Sequence, residues 1–337
     1  MAIIEDTLLP EQFDNVEIVK RFGKRRITHV FHDIDGTHSL LRDWPPVMSV
    51  TLHDVIVNGL PAHYDSGANV KRLVELSGKE KLEETDSFCI ESAGLSALTQ
   101  MEWAIRRAIE AGSIPANKIG LDRKGLDVNS DIIKRIWTGE EIFDKFPEPE
   151  SMRKYLKENT PRLFKLYENV LKGACRDRNL ALARKDPEAW KVPGALEFLT
   201  LLKDMGVRNY FVTGAVIEQD DQGRPFGNMY EEVVAVGFEI GPGKAVESLE
   251  GSTWTNKVTK SEVIQRICRT EGLDGRETMV VGDGRSEVTA GVAIGAIIIS
   301  RLPEKAARQR QLHKQLGTNL ILTDYTSPRF KAMFQAE

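Results

Sequence analysis

The stretch "RITHVFHDIDGT", residues 26–37, decides the fold predicted for this chain. Residues 26–32 are rich in β-branched and aromatic types, which is typical of a strand. Asp33 and Asp35 follow directly, so two carboxylates stand one residue apart at the strand's carboxyl end. Gly36 suits a sharp turn at this point, because glycine has no β-carbon. Two neighbouring negative charges repel each other unless a cation offsets them, and a cation site is therefore expected here.

Strand and helix patterns alternate in the last part of the chain, beyond about residue 190. Helical spacing marks residues 193–206 and 261–272, and apolar strand patterns mark 208–214, 277–284, 296–300 and 319–324. Such alternation predicts parallel strands joined by right-handed crossovers. We therefore predict an α/β fold with a doubly wound parallel sheet, whose functional crevice lies at the carboxyl ends of the strands.

Residues 40–189 have a different character, with helical periodicity and proline-rich interruptions. In "SALTQMEWAIRRAIEAG" (96–112), for example, Leu98, Met101, Ile105 and Ala108 recur at helical spacing. We predict a core domain formed by residues 1–39 and 190–337 and an inserted, mainly helical domain formed by residues 40–189. The chain would leave and rejoin the core near residues 44–48 and 185–193.

Composition excludes several classes of protein. The 337 residues carry a net charge of −4, which gives no support for a nucleic-acid partner. The longest apolar run, residues 290–299, is too short to span a bilayer, and no membrane association is expected. The start of the chain shows no secretory signal pattern, and its three cysteines are far apart, so we expect a cytoplasmic protein with reduced thiols. No pattern indicates an oligomeric state.

Parallel strands would bring the following polar residues to one edge of the sheet. Asp33 and Asp35 follow the first strand, Thr213 and Gly214 the second, and Asp283 the third, with Glu287 one helical turn later. Carboxylate oxygens at such an edge suit Mg²⁺, which also binds phosphate. The Thr213 hydroxyl and the Gly214 amide could donate to phosphate oxygens, and Lys260 could reach both a phosphate and a carboxylate. Lys257 is a nearby rival for the role of Lys260.

Four blocks of sequence resemble, in this order, the four motifs of the haloacid dehalogenase-like hydrolases: "DIDGT", "VTG", "KSEVIQRICRTEG" and "VVGDGRSE". The third and fourth blocks resemble the phosphoserine-phosphatase branch in particular. The resemblance covers residues 26–38 and 190–325, and by position residues 40–189 resemble a helical cap inserted after the first motif. Ser286 and Glu287 stand where the common form has Asn and Asp, and His38 replaces the usual apolar residue.

The resemblance implies a Mg²⁺-dependent phosphatase that acts on a small phosphorylated metabolite. Asp33 would attack phosphorus and form an aspartyl-phosphate, and Asp35 would act as general acid and then as general base. The metal ligands would be Asp33, Asp35, Asp283 and Glu287, and the phosphate would be bound by Thr213, Gly214 and Lys260. Whether Glu287 contacts the metal directly or through water stays open.

Other interpretations remain open. A phosphomutase would use the same intermediate, and a non-catalytic protein could keep the fold for binding alone. A phosphonate-cleaving enzyme is less favoured, because no lysine of residues 40–189 is recognisable as a Schiff-base residue. His38 could face substrate or make a local hydrogen bond. Six side chains of the helical region could contact substrate or simply pack: Arg42, Trp44, His53, Trp103, Arg106 and Arg107.

Overall fold

The chain folds into two compact units, an α/β core unit and a helical unit. The structure is a computed structural model, and it describes residues 1–41 and 43–336, so that Arg42 lies outside the described residues. The core unit comprises residues 1–41 and 180–337, and the helical unit comprises residues 42–179. The sequence indicated a second junction between residues 189 and 190. In the structure it follows residue 179, because Leu180 and Ala183 are buried in the hydrophobic core of the α/β unit.

All of the described strands belong to the core unit. In chain order they are β1 (Ala2–Glu5), β2 (Gln12–Phe13), β3 (Val16–Ile18), β4 (Lys24–Ile27), β5 (His29–His32), β6 (Arg208–Val216), β7 (Glu218–Gln219), β8 (Pro225–Phe226), β9 (Ser248–Ser252), β10 (Thr278–Gly282), β11 (Ile297–Arg301), β12 (Leu320–Leu322) and β13 (Phe334–Ala336).

The helices divide between the two units. In chain order they are α1 (Trp44–Asn58), α2 (Gly67–Leu76), α3 (Glu83–Glu91), α4 (Ala97–Ala111), α5 (Ala116–Ile119), α6 (Arg123–Trp137), α7 (Glu150–Leu171), α8 (Asp177–Lys185), α9 (Ala195–Asp204), α10 (Gly227–Ala235), α11 (Lys260–Glu271), α12 (Arg285–Ile294), α13 (Ala307–Leu316) and α14 (Pro328–Ala332). Residues 44–48, where the sequence suggested a linker, form the first turns of α1, and prolines occupy the starting positions that helices tolerate.

An eight-stranded sheet forms the centre of the core unit, in the order β2-β3-β12-β11-β10-β5-β6-β9. The six strands from β12 to β9 are parallel, and β3 and β2 extend the sheet in antiparallel fashion. The predicted α/β fold with a doubly wound parallel sheet is therefore confirmed, with an antiparallel edge that the sequence did not reveal.

Side chains along the central strands alternate between two hydrophobic layers. Val30 of β5 and Val281 of β10 are buried in one layer, together with residues of α9. Phe31 of β5 and Val280 of β10 are buried in the other, together with residues of α11. Because both faces of the sheet are covered by helices, polar side chains can reach solvent only at the ends of the strands. This arrangement places the candidate functional groups at the carboxyl edge.

The strand predicted over residues 26–32 is two strands in two sheets. β4 pairs with β1 in a separate three-stranded sheet that also contains β13, whereas β5 lies between β10 and β6. The chain changes partners at Thr28, whose amide donates to the Glu277 carbonyl at 2.9 Å and whose carbonyl accepts from the Arg208 amide at 3.0 Å. Only β5, the part that leads into Asp33, belongs to the large sheet.

Within the helical unit, most residues of α4 are buried. Two of the candidate substrate contacts, Trp103 and Arg106, belong to this helix and pack inside the unit. Trp103 is fully buried and stacks on Phe88 with ring centroids 3.7 Å apart. Arg106 is 1% exposed and pairs with Glu102 and Glu148, so it serves the interior of this unit. The other described candidates are half-buried: Trp44, His53 and Arg107.

In the described part of the chain, no helix combines the length and the apolar character that crossing a membrane requires.

Candidate active site

The loop after β5 holds the two aspartates of the first motif. Asp33 is 7% exposed, and its amide donates to the Val281 carbonyl at 2.8 Å, which extends the strand pairing by one residue. The carbonyl of buried Ile34 accepts hydrogen bonds at 2.9–3.2 Å from the amides of the next turn, residues 37–39. Gly36 has a φ of 77°, which glycine adopts without strain. The turn leaves Asp33 buried and Asp35 half-buried on either side of Ile34.

Lys260 lies between two carboxylates. Its ammonium group contacts Asp33 Oδ1 and Glu287 Oε1, and all three side chains are almost completely buried. Burial lowers the pKa of Lys260, but the charges of Asp33 and Glu287 outweigh that effect, and the pKa is raised above its ordinary value. The ammonium group is therefore the cation that offsets the charge of Asp33, and it is supplied by the predicted lysine.

The position of Lys260 depends on how α11 begins. Thr259 is the N-cap, and its side chain accepts from the Glu262 amide at 3.0 Å while the Glu262 carboxylate accepts from the Thr259 amide at 2.7 Å. This reciprocal pair satisfies two donors of the first turn and fixes its direction. Lys260, the first helical residue, is consequently aimed at the carboxyl edge of β5. Lys257 precedes the cap and is not part of this contact.

Glu287 reaches Lys260 because β10 ends in glycine. A β-carbon at Gly282 would lie 2.3 Å from Glu287 Cγ, so only glycine leaves room for this side chain. Glu287 is 3% exposed, and its Oε2 atom is buried without a hydrogen-bond partner. Burial raises the pKa of Glu287, the charge of Asp33 adds to the increase, and Lys260 opposes it. Glu287 is thus first of all a partner of Lys260.

Thr213 and Gly214 lie inside β6 rather than after it, since the strand continues to Val216. The register against β9 shifts between Val212 and Val216, so the intervening residues form a bulge. The Thr213 hydroxyl oxygen accepts from the Ala215 amide at 3.1 Å. Bulges re-aim side chains and disrupt pairing next to active sites. Here the bulge lies one strand away from Asp33, at the carboxyl edge of the sheet.

Asp283 follows β10 directly, and β10 is the neighbour of β5, so Asp283 and Asp33 lie at the same edge. The donor chemistry of this edge, carboxylates with one unpartnered oxygen on Glu287, suits a hard cation. In the part of the chain that the structure describes, however, no three His, Cys, Asp or Glu side chains are grouped closely enough to hold a metal ion. The strand ends supply oxygen donors that suit a metal ion. In this structure, however, the Lys260 ammonium group lies between Asp33 and Glu287, two of the four predicted metal ligands.

The sequence did not reveal several residues that hold the aspartate loop, residues 33–39. The Thr37 hydroxyl donates to Asp33 Oδ2 at 3.1 Å, and Arg301 Nη1 donates to the Gly36 carbonyl at 2.9 Å. The Tyr325 hydroxyl donates to the Thr37 carbonyl at 3.0 Å. Thr37 belongs to the quoted motif and could have been proposed from it. Arg301 and Tyr325 come from the far end of the chain, and no local pattern connects them with the loop.

His38 does not face the edge of the sheet. It is fully buried, and its Nε2 atom lies 2.9 Å from His32 Nδ1. Of the two possibilities that the sequence left open for His38, the structure has the local hydrogen bond.

Comparison with known proteins finds similarity only among solved structures. No family model matches the sequence, and no curated protein matches it. A predicted phosphatase from Clostridium acetobutylicum is 12% identical, with 88% of this chain and 93% of that chain covered and a TM-score of 0.44. A phosphonoacetaldehyde hydrolase-like protein from Oleispira antarctica is 11% identical, with 91% of each chain covered and a TM-score of 0.45. A β-phosphoglucomutase from Clostridium difficile is 10% identical, with 91% and 95% covered and a TM-score of 0.46.

The order of the four motifs agrees with the topology of the core unit. The first and fourth motifs end the adjacent strands β5 and β10, the second lies at the end of β6, and the third begins α11. The sheet therefore brings the first and fourth motifs to the same edge, although Asp33 and Asp283 are 250 positions apart in the sequence. In its motif order, its doubly wound sheet and its helical unit after the first motif, the chain resembles the haloacid dehalogenase-like hydrolases.

Proposed function

We propose that this protein is a phosphatase that hydrolyses a small phosphorylated metabolite through an aspartyl-phosphate on Asp33. The observation that carries the proposal is the buried contact of Lys260 with Asp33 and Glu287 at the carboxyl edge of the sheet. An ion pair buried to this degree is weak support for stability alone, because desolvation offsets most of the attraction. A lysine ammonium group beside a candidate nucleophile is, by contrast, a recurring requirement of phosphoryl transfer.

Asp33 is held in a single orientation for attack. One carboxylate oxygen contacts the Lys260 ammonium group and the other accepts from the Thr37 hydroxyl. The plane of the carboxylate is thereby fixed before substrate arrives, and such preorganisation removes an entropic part of the barrier. Attack of an Asp33 oxygen on phosphorus forms the P–O bond of the aspartyl-phosphate and breaks the bond between phosphorus and the leaving oxygen.

Asp35 is the proposed proton donor and acceptor. It lies on the other side of Ile34 from Asp33 and is half-buried, so it can meet both substrate and water. Asp35 would give its proton to the leaving oxygen and later take a proton from the water that attacks the aspartyl-phosphate. The products are the alcohol and inorganic phosphate, and both aspartates return to their starting forms.

The transferred phosphoryl group needs positive charge and hydrogen-bond donors around it. We assign the Lys260 ammonium group, the Thr213 hydroxyl and the Gly214 amide at the bulge of β6 to this role. Mg²⁺ is part of the proposal, with oxygens of Asp33, Asp35, Asp283 and Glu287 as its donors. It would neutralise phosphate charge at an edge where carboxylates outnumber the ammonium group. We further propose that the helical unit acts as a cap that selects the substrate.

The experiment is a metal-dependent phosphatase assay on the full chain. Wild type and Asp33→Asn are compared on p-nitrophenyl phosphate and on a set of phosphorylated metabolites, with Mg²⁺ and with a chelator, and release of inorganic phosphate is measured. Asp204→Asn, at an exposed position at the end of α9, is the matched control. We expect phosphate release by wild type and the control with Mg²⁺ only, and none by Asp33→Asn. Equal activity of Asp33→Asn and wild type would remove Asp33 from the nucleophile's role.

A further inference from the structure

Two buried histidines lie at the two ends of the aspartate loop, His32 just before it and His38 near its last residue. His32 ends β5 immediately before Asp33, and His38 lies in the turn after Asp35. Both are fully inaccessible to solvent, and their rings meet edge to face with centroids 4.8 Å apart. Apolar residues would fill these positions without the cost of burying imidazole nitrogens. The pair therefore requires an explanation beyond packing.

The hydrogen bonds determine where the imidazole protons lie. The side-chain amide of Asn209 donates to the carbonyls of Leu199 at 3.0 Å and Ala245 at 2.9 Å, so its oxygen faces His32 Nε2 at 3.1 Å. His32 Nε2 must then carry the hydrogen, and His32 Nδ1 is an acceptor. His38 Nε2 consequently donates to His32 Nδ1, and His38 Nδ1 is left as a buried atom without a partner. The chain of hydrogen bonds runs from His38 through His32 to Asn209 in one direction.

Both histidines are neutral in this arrangement. Burial lowers the pKa of His32 to about 3, against an opposing effect of the hydrogen bond to Asn209. Burial, the neighbouring His32 and Arg301 hold the pKa of His38 well below its ordinary value.

The other face of His38 rests on Tyr325. The two rings are parallel within 4°, with centroids 5.1 Å apart. The hydroxyl of the same tyrosine donates to the Thr37 carbonyl, at the centre of the turn. Three contacts thus hold the turn after Asp33. His38 donates to His32 of β5, His32 in turn donates to Asn209 of β6, and the ring of Tyr325, which follows β12, stacks on His38.

We propose that His38 and Tyr325 are positioning residues that keep the aspartate loop, residues 33–39, in its reactive conformation. Together with His32 and Asn209 we call them the loop clamp. The inference rests on the proposed function, because it assigns the clamp the task of holding Asp33 and Asp35 in place. None of the four residues reaches the reacting atoms, and each acts through the backbone of the loop or of β5. A displacement of about 1 Å at a reacting group can lower a rate by about 100-fold, so a small loosening of the loop is measurable.

The test compares two tyrosine-stacked histidines of the core unit. His38→Phe keeps an aromatic ring on Tyr325 and loses the hydrogen bond to His32. His29→Phe is the matched control: His29 is also buried and stacks on Tyr210 at 5.8 Å, but it lies at the opposite end of β5. Tyr325→Phe and Tyr210→Phe form a second pair, since the buried Tyr210 hydroxyl has no hydrogen-bond partner whereas Tyr325 donates to Thr37.

We expect His38→Phe and Tyr325→Phe to lower kcat on p-nitrophenyl phosphate by about 10- to 100-fold while KM changes little, and the two controls to leave kcat near wild type. His38→Gln, whose side-chain amide can still donate to His32, should recover part of the loss. If the clamp variants lose no more kcat than the controls, or if KM rises as kcat stays constant, the positioning role is wrong.

Hydrogen exchange separates failure of this inference from failure of the proposed function. In wild type, the amides of residues 36–39 are all donors within the turn. The Leu40 amide donates to the Trp190 carbonyl, and the His38 carbonyl accepts from the Val192 amide. Peptides covering residues 33–41 should exchange faster in His38→Phe and Tyr325→Phe than in wild type, and at the wild-type rate in the controls. This result would support the clamp even if wild type had no phosphatase activity. Unchanged exchange in both clamp variants would overturn it.

Discussion

The contact of Lys260 with two buried carboxylates makes Lys260→Met the most informative substitution in the core unit. Methionine has nearly the same length but no charge, so Asp33 and Glu287 would be left buried without their cation. The lysine side chain is 3% exposed and its partners are 8% and 3% exposed, so solvent screens the interaction very little. Removal of one partner from a buried pair costs about 3–5 kcal/mol.

This loss should be visible as a lower melting temperature. For domains of about 150–250 residues, 1 kcal/mol corresponds to roughly 2–4 °C, so we expect a decrease of about 6–20 °C. Lys257→Met, three residues upstream and before the N-cap of α11, is the control and should change the melting temperature by no more than about 2 °C.

The decrease in melting temperature of Lys260→Met should itself depend on pH. Because burial raises the pKa of Glu287 above its unfolded value, the stability associated with the neutral form is present at low pH and is lost as the pH rises. Without Lys260 the increase in the pKa of Glu287 is larger, because the main opposing charge is gone, so the variant should lose more stability relative to wild type at pH 8 than at pH 5. Melting curves at both pH values test the expectation. An equal decrease for the two lysine variants, or one that does not depend on pH, would refute the role assigned to Lys260.

Changes elsewhere in the chain test the remaining parts of the proposal. Asp35→Asn should slow alkyl phosphates far more than p-nitrophenyl phosphate, because a general acid matters most for a basic leaving oxygen; equal slowing in steady-state assays would exclude that role. Gly282→Ala should destabilise the protein by about 1–3 kcal/mol and impair turnover, since its β-carbon would overlap Glu287, whereas Gly67→Ala, with open space around it, should be near neutral in denaturant titration. Excision of residues 42–179, with Leu41 joined to Leu180, should leave weak and unselective activity on aryl phosphates; full retention of selectivity in a substrate screen would separate the helical unit from substrate choice.

The elements of the central sheet could be predicted because their signals are local. Apolar runs between glycines and amphipathic helices mark α9, β6, α11, β10, β11 and β12 in the sequence, and their alternation restricts the topology to parallel strands. Asp33 and Lys260 followed from this order, since a parallel sheet must bring its carboxyl ends together. Their side chains meet although they are separated by 227 positions.

Local pattern failed where a short segment depends on a distant partner. β1 has four residues and β13 has three, and they pair with each other from opposite ends of the chain. The break at Thr28 has the same origin. The pattern of residues 26–32 predicts one continuous strand, but distant strands of two different sheets pair with its two halves. The second junction lies ten residues earlier than the sequence predicts, because burial of Leu180 and Ala183 against the core leaves no mark on the periodicity of α8.

The amino-acid sequence by itself determined which residues are proposed to carry the chemistry: two aspartates after a strand, a lysine at a capped helix start and an acidic loop after a further strand. Tertiary structure alone decided how they are held. It placed Lys260 between Asp33 and Glu287, turned His38 inward onto His32, and brought Tyr325 from 288 positions away to the Thr37 carbonyl. The physical reason is that residue types and their spacing specify helices, strands and turns through local sterics and hydrogen bonds. The partner of a buried polar group, in contrast, is selected by which distant group the packed sheet brings within hydrogen-bonding distance.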